Sequence, residues 1–383
     1  MATPQLHFSR EEFAARRTSV LAAMAERHLD GLLIFRQESM YYLSGYDTFG
    51  YVFFQCLYLR GDGKMTLLTR SPDLRQAQLT SLITDIQIWE DSPTTSPATM
   101  LREMVAAQGG ARRLGVEWDA YGLTAANGQQ VSAAFADVAL QDASLLVSEL
   151  RAVKSAAELG YIRRAAELAD DALEAAADLA VPGAFEGDIL AAMQGTIFRG
   201  GGDYSGNEFI IGSGERALLC RSFSGRRHLS PHDQLTLEFA GVYRHYHAAL
   251  MRTLLLGTPS PRHLEMRAVC AEARLRAMEA LRPGEPIGRV FEGYAEVADT
   301  SGMRQHRLNA TGYSMGAAFA PNWMDWPMFY RGNPIEARPN MVFFLHIILM
   351  DSDAGVAMTT GETLLVTDNG AQSLSRLTDK FGR

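Results

Sequence analysis

Residues 235–257 read LTLEFAGVYRHYHAALMRTLLLG, two apolar runs joined by a short polar turn. The pattern predicts two strands, 234–242 and 246–256, with Glu238 inside the first. A carboxylate at that position loses its water when the strand packs, which costs several kcal/mol unless it is paired or protonated. Such a position points to chemistry; the competing reading is a buried structural pair with Arg252. His247 follows in the second strand, and an imidazole with an ordinary pKa near 6.5 suits proton transfer at neutral pH. His245 stands two residues earlier, on the same face of an extended strand. His346 sits in a third apolar run, 341–350, as a second candidate acid or base or as a neutral core histidine.

Outward from this stretch, helical and extended patterns alternate in pairs. Ser155 caps a long helix over 156–179, with Glu158 three positions on as its capping-box partner. A second helix, 185–199, leads through Gly200-Gly201-Gly202 to a strand at 208–212. Those glycines follow a helix and do not open one, so they form no phosphate loop. Helices 263–281 and 287–301 then precede strands 341–350 and 362–366. Helix pair, strands, helix pair, strands is an architectural duplication without visible sequence repetition. The first third reads differently. Strands 31–35, 51–59, 65–69, 85–89, 114–118 and 138–140 alternate with helices 10–28, 72–82, 97–107 and 125–135. Gly61-Asp62-Gly63-Lys64 makes a hairpin turn, and the alternation predicts an α/β layer domain with a largely parallel sheet. Two domains follow, 1–150 and 151–383.

Composition narrows the partners. The chain has 383 residues, 36 basic against 44 acidic, and a net charge of -8 without clustered Lys/Arg. Phosphate neutralisation needs clustered cations, so nucleic acid and anionic membranes are disfavoured. Cys56, Cys220 and Cys270 are too far apart in sequence for a metal-binding or disulfide pattern and suit a reducing cytosol. The amino terminus lacks an apolar signal core, and the run 341–350 is about half a membrane span. A soluble cytoplasmic protein acting on a small molecule is expected.

The ordered motifs resemble the pita-bread family of Xaa-Pro dipeptidases, aminopeptidase P, methionine aminopeptidase and creatinase. They comprise 151–155 with Glu158, 230–233 with Glu238, Arg252-Thr253 with Gly257, 311–316, 340–344, and 362–367 with Gly370. In the first third, Tyr41-Tyr42-Leu43-Ser44-Gly45-Tyr46 is similar to the smaller creatinase/prolidase domain. The resemblance implies an α/β (α+β) fold: a creatinase/prolidase-type N-terminal domain and a pita-bread, αα-ββ duplicated catalytic domain. It also implies a homodimer.

Five ligands hold two divalent ions in the family's metallopeptidases: two Asp, one His and two Glu. Against that pattern the first Asp falls on Glu238, the second on Ala249, the His on Tyr313 and the first Glu on His346. The last Glu is matched by Glu362. Ala249 and Tyr313 cannot serve as those ligands, so the resemblance implies no two-metal site and no cofactor; a single ion on Glu238, Glu362 and His346 is the remaining alternative. The pattern is closest to the metal-independent branch of creatinase and ectoine hydrolase, with motifs Glu238-Phe239-Ala240-Gly241, Tyr246-His247-Ala248 and Gly312-Tyr313-Ser314-Met315-Gly316.

The carry-over makes Glu238 nucleophile or general base, His247 the proton shuttle, His346 a second acid or base, and Glu362 a counter-charge for an amidinium. Arg221, where creatinase's catalytic His would fall, and Arg252 are candidate clamps for a substrate carboxylate. Tyr313 and Trp323 are candidate substrate contacts; Trp323 with Trp326 forms an aromatic wall, or else core or dimer interface. The expected activity is hydrolysis of a non-peptide C–N bond in a small amidine, guanidine or amide carboxylate. The rivals are an Xaa-Pro dipeptidase or aminopeptidase with a remodelled metal site and a non-catalytic binding module.

Overall fold

The computed structural model describes residues 3–94, 96–223 and 225–377, and the chain divides into two compact units, Met1–Arg151 and Ala152–Arg383. Met1, Ala2 and residues 378–383, the outer ends of the expected domains, lie outside the described residues.

The first unit runs α1 (Arg10–Glu26), β1 (Gly31–Ile34), α2 (Gln37–Ser44), β2 (Cys56–Arg60), β3 (Met65–Arg70) and α3 (Ser71–Thr80). It continues with β4 (Asp85–Trp89), α4 (Pro97–Ala107), β5 (Arg113–Val116), α5 (Ala125–Ala134), β6 (Ala139–Asp142) and α6 (Leu146–Arg151). The strands form one sheet ordered β4-β3-β2-β1-β5-β6. Both faces are covered: Leu32, Ile34, Leu57 and Leu67 pack with residues of α1, α2 and α6, while Leu33, Leu68, Leu114 and Val116 pack with residues of α4 and α5. That double burial accounts for the continuous apolar runs.

The sheet is mixed, not largely parallel. The hairpin at Gly61–Lys64 makes β2 and β3 antiparallel, and β1 also pairs antiparallel with β2. The strand expected from residue 51 begins only at Cys56, because Gly50–Val52 is a 3₁₀ turn. Thr48 holds that turn, its hydroxyl accepting the Gly50 N–H at 2.8 Å and donating to Asp73 at 2.5 Å. Local side-chain bonds of this kind compete with the ladder.

The second unit opens with α7 (Ala156–Leu179), which Ser155 and Glu158 cap reciprocally as expected, and α8 (Glu186–Arg199). After them come β7 (Ile210–Ser213), β8 (Asp233–Tyr243), β9 (Tyr246–Leu256), α9 (Pro261–Ala280) and α10 (Gly288–Thr300). The last section holds β10 (Ala310–Ser314), β11 (Asp325–Tyr330), β12 (Val342–Asp351), β13 (Val356–Thr367) and β14 (Gly370–Ser373). The sheet is ordered β11-β10-β12-β13-β9-β8-β7, with β14 on β13. β10 and β11 carry no clear strand pattern in the sequence. Gly312 interrupts one, and Pro327 in the other is tolerated because β11 lies at the sheet edge.

Helices cover one face of this sheet. Leu235, Leu237 and Phe239 of β8 and Leu250 and Leu254 of β9 pack with residues of α7 and α8. Phe343, Leu345 and Ile347 of β12 and Leu364 and Val366 of β13 pack with residues of α9 and α10. On the same side α7 comes so close that a Cβ on Gly241 would lie 2.0 Å from the Ala165 carbonyl oxygen. Strand alternation therefore turns Thr236, Glu238 and Ala240 to the other face.

Candidate active site

Strand register builds a row across the face that the helices leave uncovered. Glu238 pairs with Met251, Met251 with Gly361, and Gly361 with His346. Directly opposed residues share a face. Beside this row, Ala240 pairs with Ala249, Thr363 with Phe344, and Phe344 with Tyr313.

Glu238 is 8% exposed. Burial pushes its carboxyl up to about 7, against the pull of the Arg221 charge and a hydrogen bond with the Tyr313 hydroxyl. Tyr313 is itself buried, and loss of water followed by the nearby Glu238 charge holds its phenol well above the ordinary value. The Tyr313 oxygen accepts the indole N–H of Trp323 at 2.7 Å. Arg221, exposed beside Cys220, is thus placed with its charge acting on both Glu238 and Tyr313.

His346 is buried, and desolvation holds its pKa down to about 4, so it is neutral at physiological pH. Its Nδ1 has no hydrogen-bond partner among the described residues. Its ring lies 5.8 Å from that of Tyr313 and 5.5 Å from that of Phe344.

Several expected site residues stand elsewhere. Glu362 is one residue out of the row: it pairs with Leu250 and Leu345, and so faces the helices. There it meets Arg274 of α9 at 2.5 Å and accepts a hydrogen bond from Ser373. The reason is the two-residue period of a strand, which gives Gly361 the place on the Glu238 face. Glu362, Leu364 and Val366 alternate in the sequence, and that signal could have revealed the shared face. Arg252 is likewise on the helix side, opposite Leu237, and donates to the carbonyls of Met251 at 2.8 Å and Gly361 at 2.5 Å. It therefore neither pairs with Glu238 nor reaches a substrate on that face.

His247 is fully buried with both nitrogens engaged. Nδ1 bonds the His245 carbonyl at 2.8 Å, and Nε2 accepts the Gly206 N–H at 2.8 Å. Burial lowers its pKa to about 4, and any proton transfer would first break one of these bonds. His245 is no strand residue: it occupies the β8–β9 turn at φ 65° and stacks on Phe319. Trp323 is 1% exposed and contacts Tyr313, not open space, while Trp326 packs against the α9–α10 core. Sequence reasoning missed Met251 and Gly361 as members of the row. It also missed segment 203–209, which carries no motif.

The row does not fit a pair of divalent cations. Ala249 and Gly361 offer no donor, the Tyr313 oxygen is engaged with Trp323, and one carboxyl and one imidazole remain. The space above Gly361 is also filled, since a Cβ there would lie 2.9 Å from the Phe344 ring. Among the described residues no three His, Cys, Asp or Glu side chains gather as a metal site would need. No helix among them is long and apolar enough to cross a membrane.

Residues 160–368 match the model of metallopeptidase family M24, and residues 16–153 that of the creatinase/prolidase N-terminal domain. The chain belongs to the M24 family. This M24 protein is 25% identical to the ectoine hydrolase of Halomonas elongata over 395 residues, 98% of each chain. It is also 25% identical to the Xaa-Pro dipeptidase of Pyrococcus furiosus over 232 residues, 60% of this chain and 65% of that one. The prolidase of Thermococcus sibiricus superposes with a TM-score of 0.85 at 18% identity, covering 96% of this chain and 98% of that one, which fixes the pita-bread fold. The M24 protein is therefore a hydrolase by family, with the family's architecture.

Proposed function

We propose that this chain is a metal-independent hydrolase that opens a non-peptide C–N bond in a small amidine, guanidine or amide carboxylate, ectoine-like first and creatine-like second. Glu238 is its reacting carboxylate. The observation that carries this reading is the donor set of the row: one carboxyl that burial pushes up to about 7, with a tyrosine hydroxyl acting on it, among residues unable to hold two metal ions. As nucleophile, Glu238 adds to the electrophilic carbon, the leaving nitrogen takes a proton as its bond breaks, and water clears the acyl-type intermediate. As general base, Glu238 takes the proton of the attacking water and passes it to the leaving nitrogen. Neutral His346, with its open Nδ1, is the other titratable group of the row and the candidate for the second proton. Arg221 is the candidate clamp for the substrate carboxylate. The same reading makes the protein a cytoplasmic homodimer that works without cofactor.

The ectoine hydrolase likeness over nearly the whole chain supports this reading. The dipeptidase likeness supports a second one, an Xaa-Pro dipeptidase or aminopeptidase with a remodelled metal site. Purified protein incubated with ectoine and a panel of guanidino acids separates them. Turnover by the wild type, lost in Glu238→Gln, is expected. Stoichiometric Mn, Co, Fe or Zn with activity abolished by chelation would favour the peptidase, and binding without turnover would favour a non-catalytic module.

A further inference from the structure

We infer that Trp323 and Asn207 are positioning residues for Glu238: segment 203–209, pinned to His247, holds the indole N–H on the Tyr313 oxygen and leaves the phenol proton directed at Glu238. The inference rests on Glu238 being the reacting carboxylate; contacts on the chain itself join His247, Gly206, Asn207, Trp323 and Tyr313, and the last link is the pull of the Tyr313 hydroxyl on the Glu238 carboxyl.

The anchor is His247. A backbone N–H can only donate, so the Gly206 N–H at 2.8 Å fixes Nε2 as acceptor and Nδ1 as the protonated nitrogen. Burial keeps that ring neutral, which preserves the acceptor. Gly206 in turn lies flat on the next segment, where a Cβ would come 2.8 Å from the Asn322 carbonyl oxygen and 3.1 Å from the Trp323 nitrogen. Asn207 then fixes Trp323 by accepting its backbone N–H at 3.1 Å. An indole is a donor only, so in the 2.7 Å contact the Tyr313 oxygen must accept. With a lone pair engaged, the phenol is polarised as a donor, and a carboxylate that receives a hydrogen bond is favoured in its ionised form. His247, expected from sequence to move protons, thereby serves the site through segment 203–209.

The test needs no substrate. The Glu238 carboxyl is titrated across neutral pH by infrared difference spectroscopy of the full chain, with Glu238→Gln identifying the band. Tyr313→Phe should move the midpoint upward by about one pH unit, the scale of a hydrogen bond to a charged group. Trp323→Phe and Asn207→Ala should each move it part of that way. An unmoved midpoint in both, with Tyr313→Phe shifted, would show that Trp323 only packs and overturn the inference. An unmoved midpoint in Tyr313→Phe would remove the chain at its last link. Asn207 is half-buried, so its variant stays readable where Trp323→Phe fails to fold. Absence of turnover on every candidate substrate would count against the proposed reaction and leave the titration intact.

Discussion

On the helix-covered face of the large sheet Glu362 gives one oxygen to Arg274 and the other to Ser373, while on the opposite face Glu238 has a tyrosine hydroxyl and an exposed guanidinium. Asp170, also on the helix side, is met by the Ser375 hydroxyl at 2.5 Å and the Arg376 N–H at 2.8 Å. Charges between helix and sheet are thus bonded at short range by neighbours of fixed position. The opposite face holds a carboxyl pushed up to about 7 and an imidazole nitrogen without a hydrogen-bond partner among the described residues. Partly compensated buried groups are costly, and two of them in one row make that row the candidate place where binding or reaction repays the cost.

The largest break in this contrast comes from Glu238→Gln. It should lower turnover at least about 10³-fold, the loss expected when a nucleophile or general base is removed. Glu362→Gln should leave the rate within a few-fold of wild type, because its carboxyl faces the helices. Steady-state rates of both variants on one substrate decide the matter; equal losses would erase the distinction between the faces.

Stability should respond in the reverse order. Arg274→Ala removes the guanidinium that meets buried Glu362 and should cost about 3–5 kcal/mol in denaturant unfolding. Replacing both partners by apolar residues should recover most of it, since the penalty comes from the abandoned charge and not from the missing bond. A cost below about 1 kcal/mol for Arg274→Ala would mean that the pair is solvated.

How much of this was readable in the sequence follows from what each feature depends on. Glu238 was legible because a single acidic residue interrupts an apolar run, a purely local pattern. The αα-ββ order and the α7 capping box were legible for the same reason. Glu362 was misplaced because a one-residue shift reverses a strand's faces, and only pairing with β9 and β12 fixes which face Gly361 takes. His247 has the right chemistry for proton transfer; only tertiary contacts show Gly206 and the His245 carbonyl occupying it. β10 and β11 lack strand patterning, and their neighbours in the sheet supply what local preference does not.

The pH dependence of stability sharpens the contrast at smaller scale. The Glu238 carboxyl is raised from an ordinary 4.5 to about 7, so between those values the folded chain keeps a proton that the unfolded chain has released. Its contribution is complete below 4.5 and lost as pH rises through about 7. Glu238→Gln should therefore unfold like wild type at low pH and be more stable above neutrality, by on the order of 1–3 kcal/mol. Urea midpoints of the two proteins on either side of neutrality check the sign. A variant less stable than wild type above pH 7 would mean that Glu238 is a well-solvated carboxylate.

Arg221→Gln carries the smallest expected effect. The guanidinium favours the charged form of Glu238, so its removal should shift the acid limb of the rate profile to higher pH. Arg221 is exposed, and solvent screens its charge, so the shift should stay under about one pH unit. The same screening gives a control: in about 1 M salt the Debye length falls to about 3 Å, and the wild-type and variant limbs should converge. If Arg221 also clamps the substrate carboxylate, KM rises in the variant and salt does not restore it, because a bidentate contact in a bound complex excludes the ions that screen the free site. A limb that moves with KM unchanged would leave Arg221 as a tuner of Glu238 alone, and a limb that stays fixed at low salt would detach it from the row altogether.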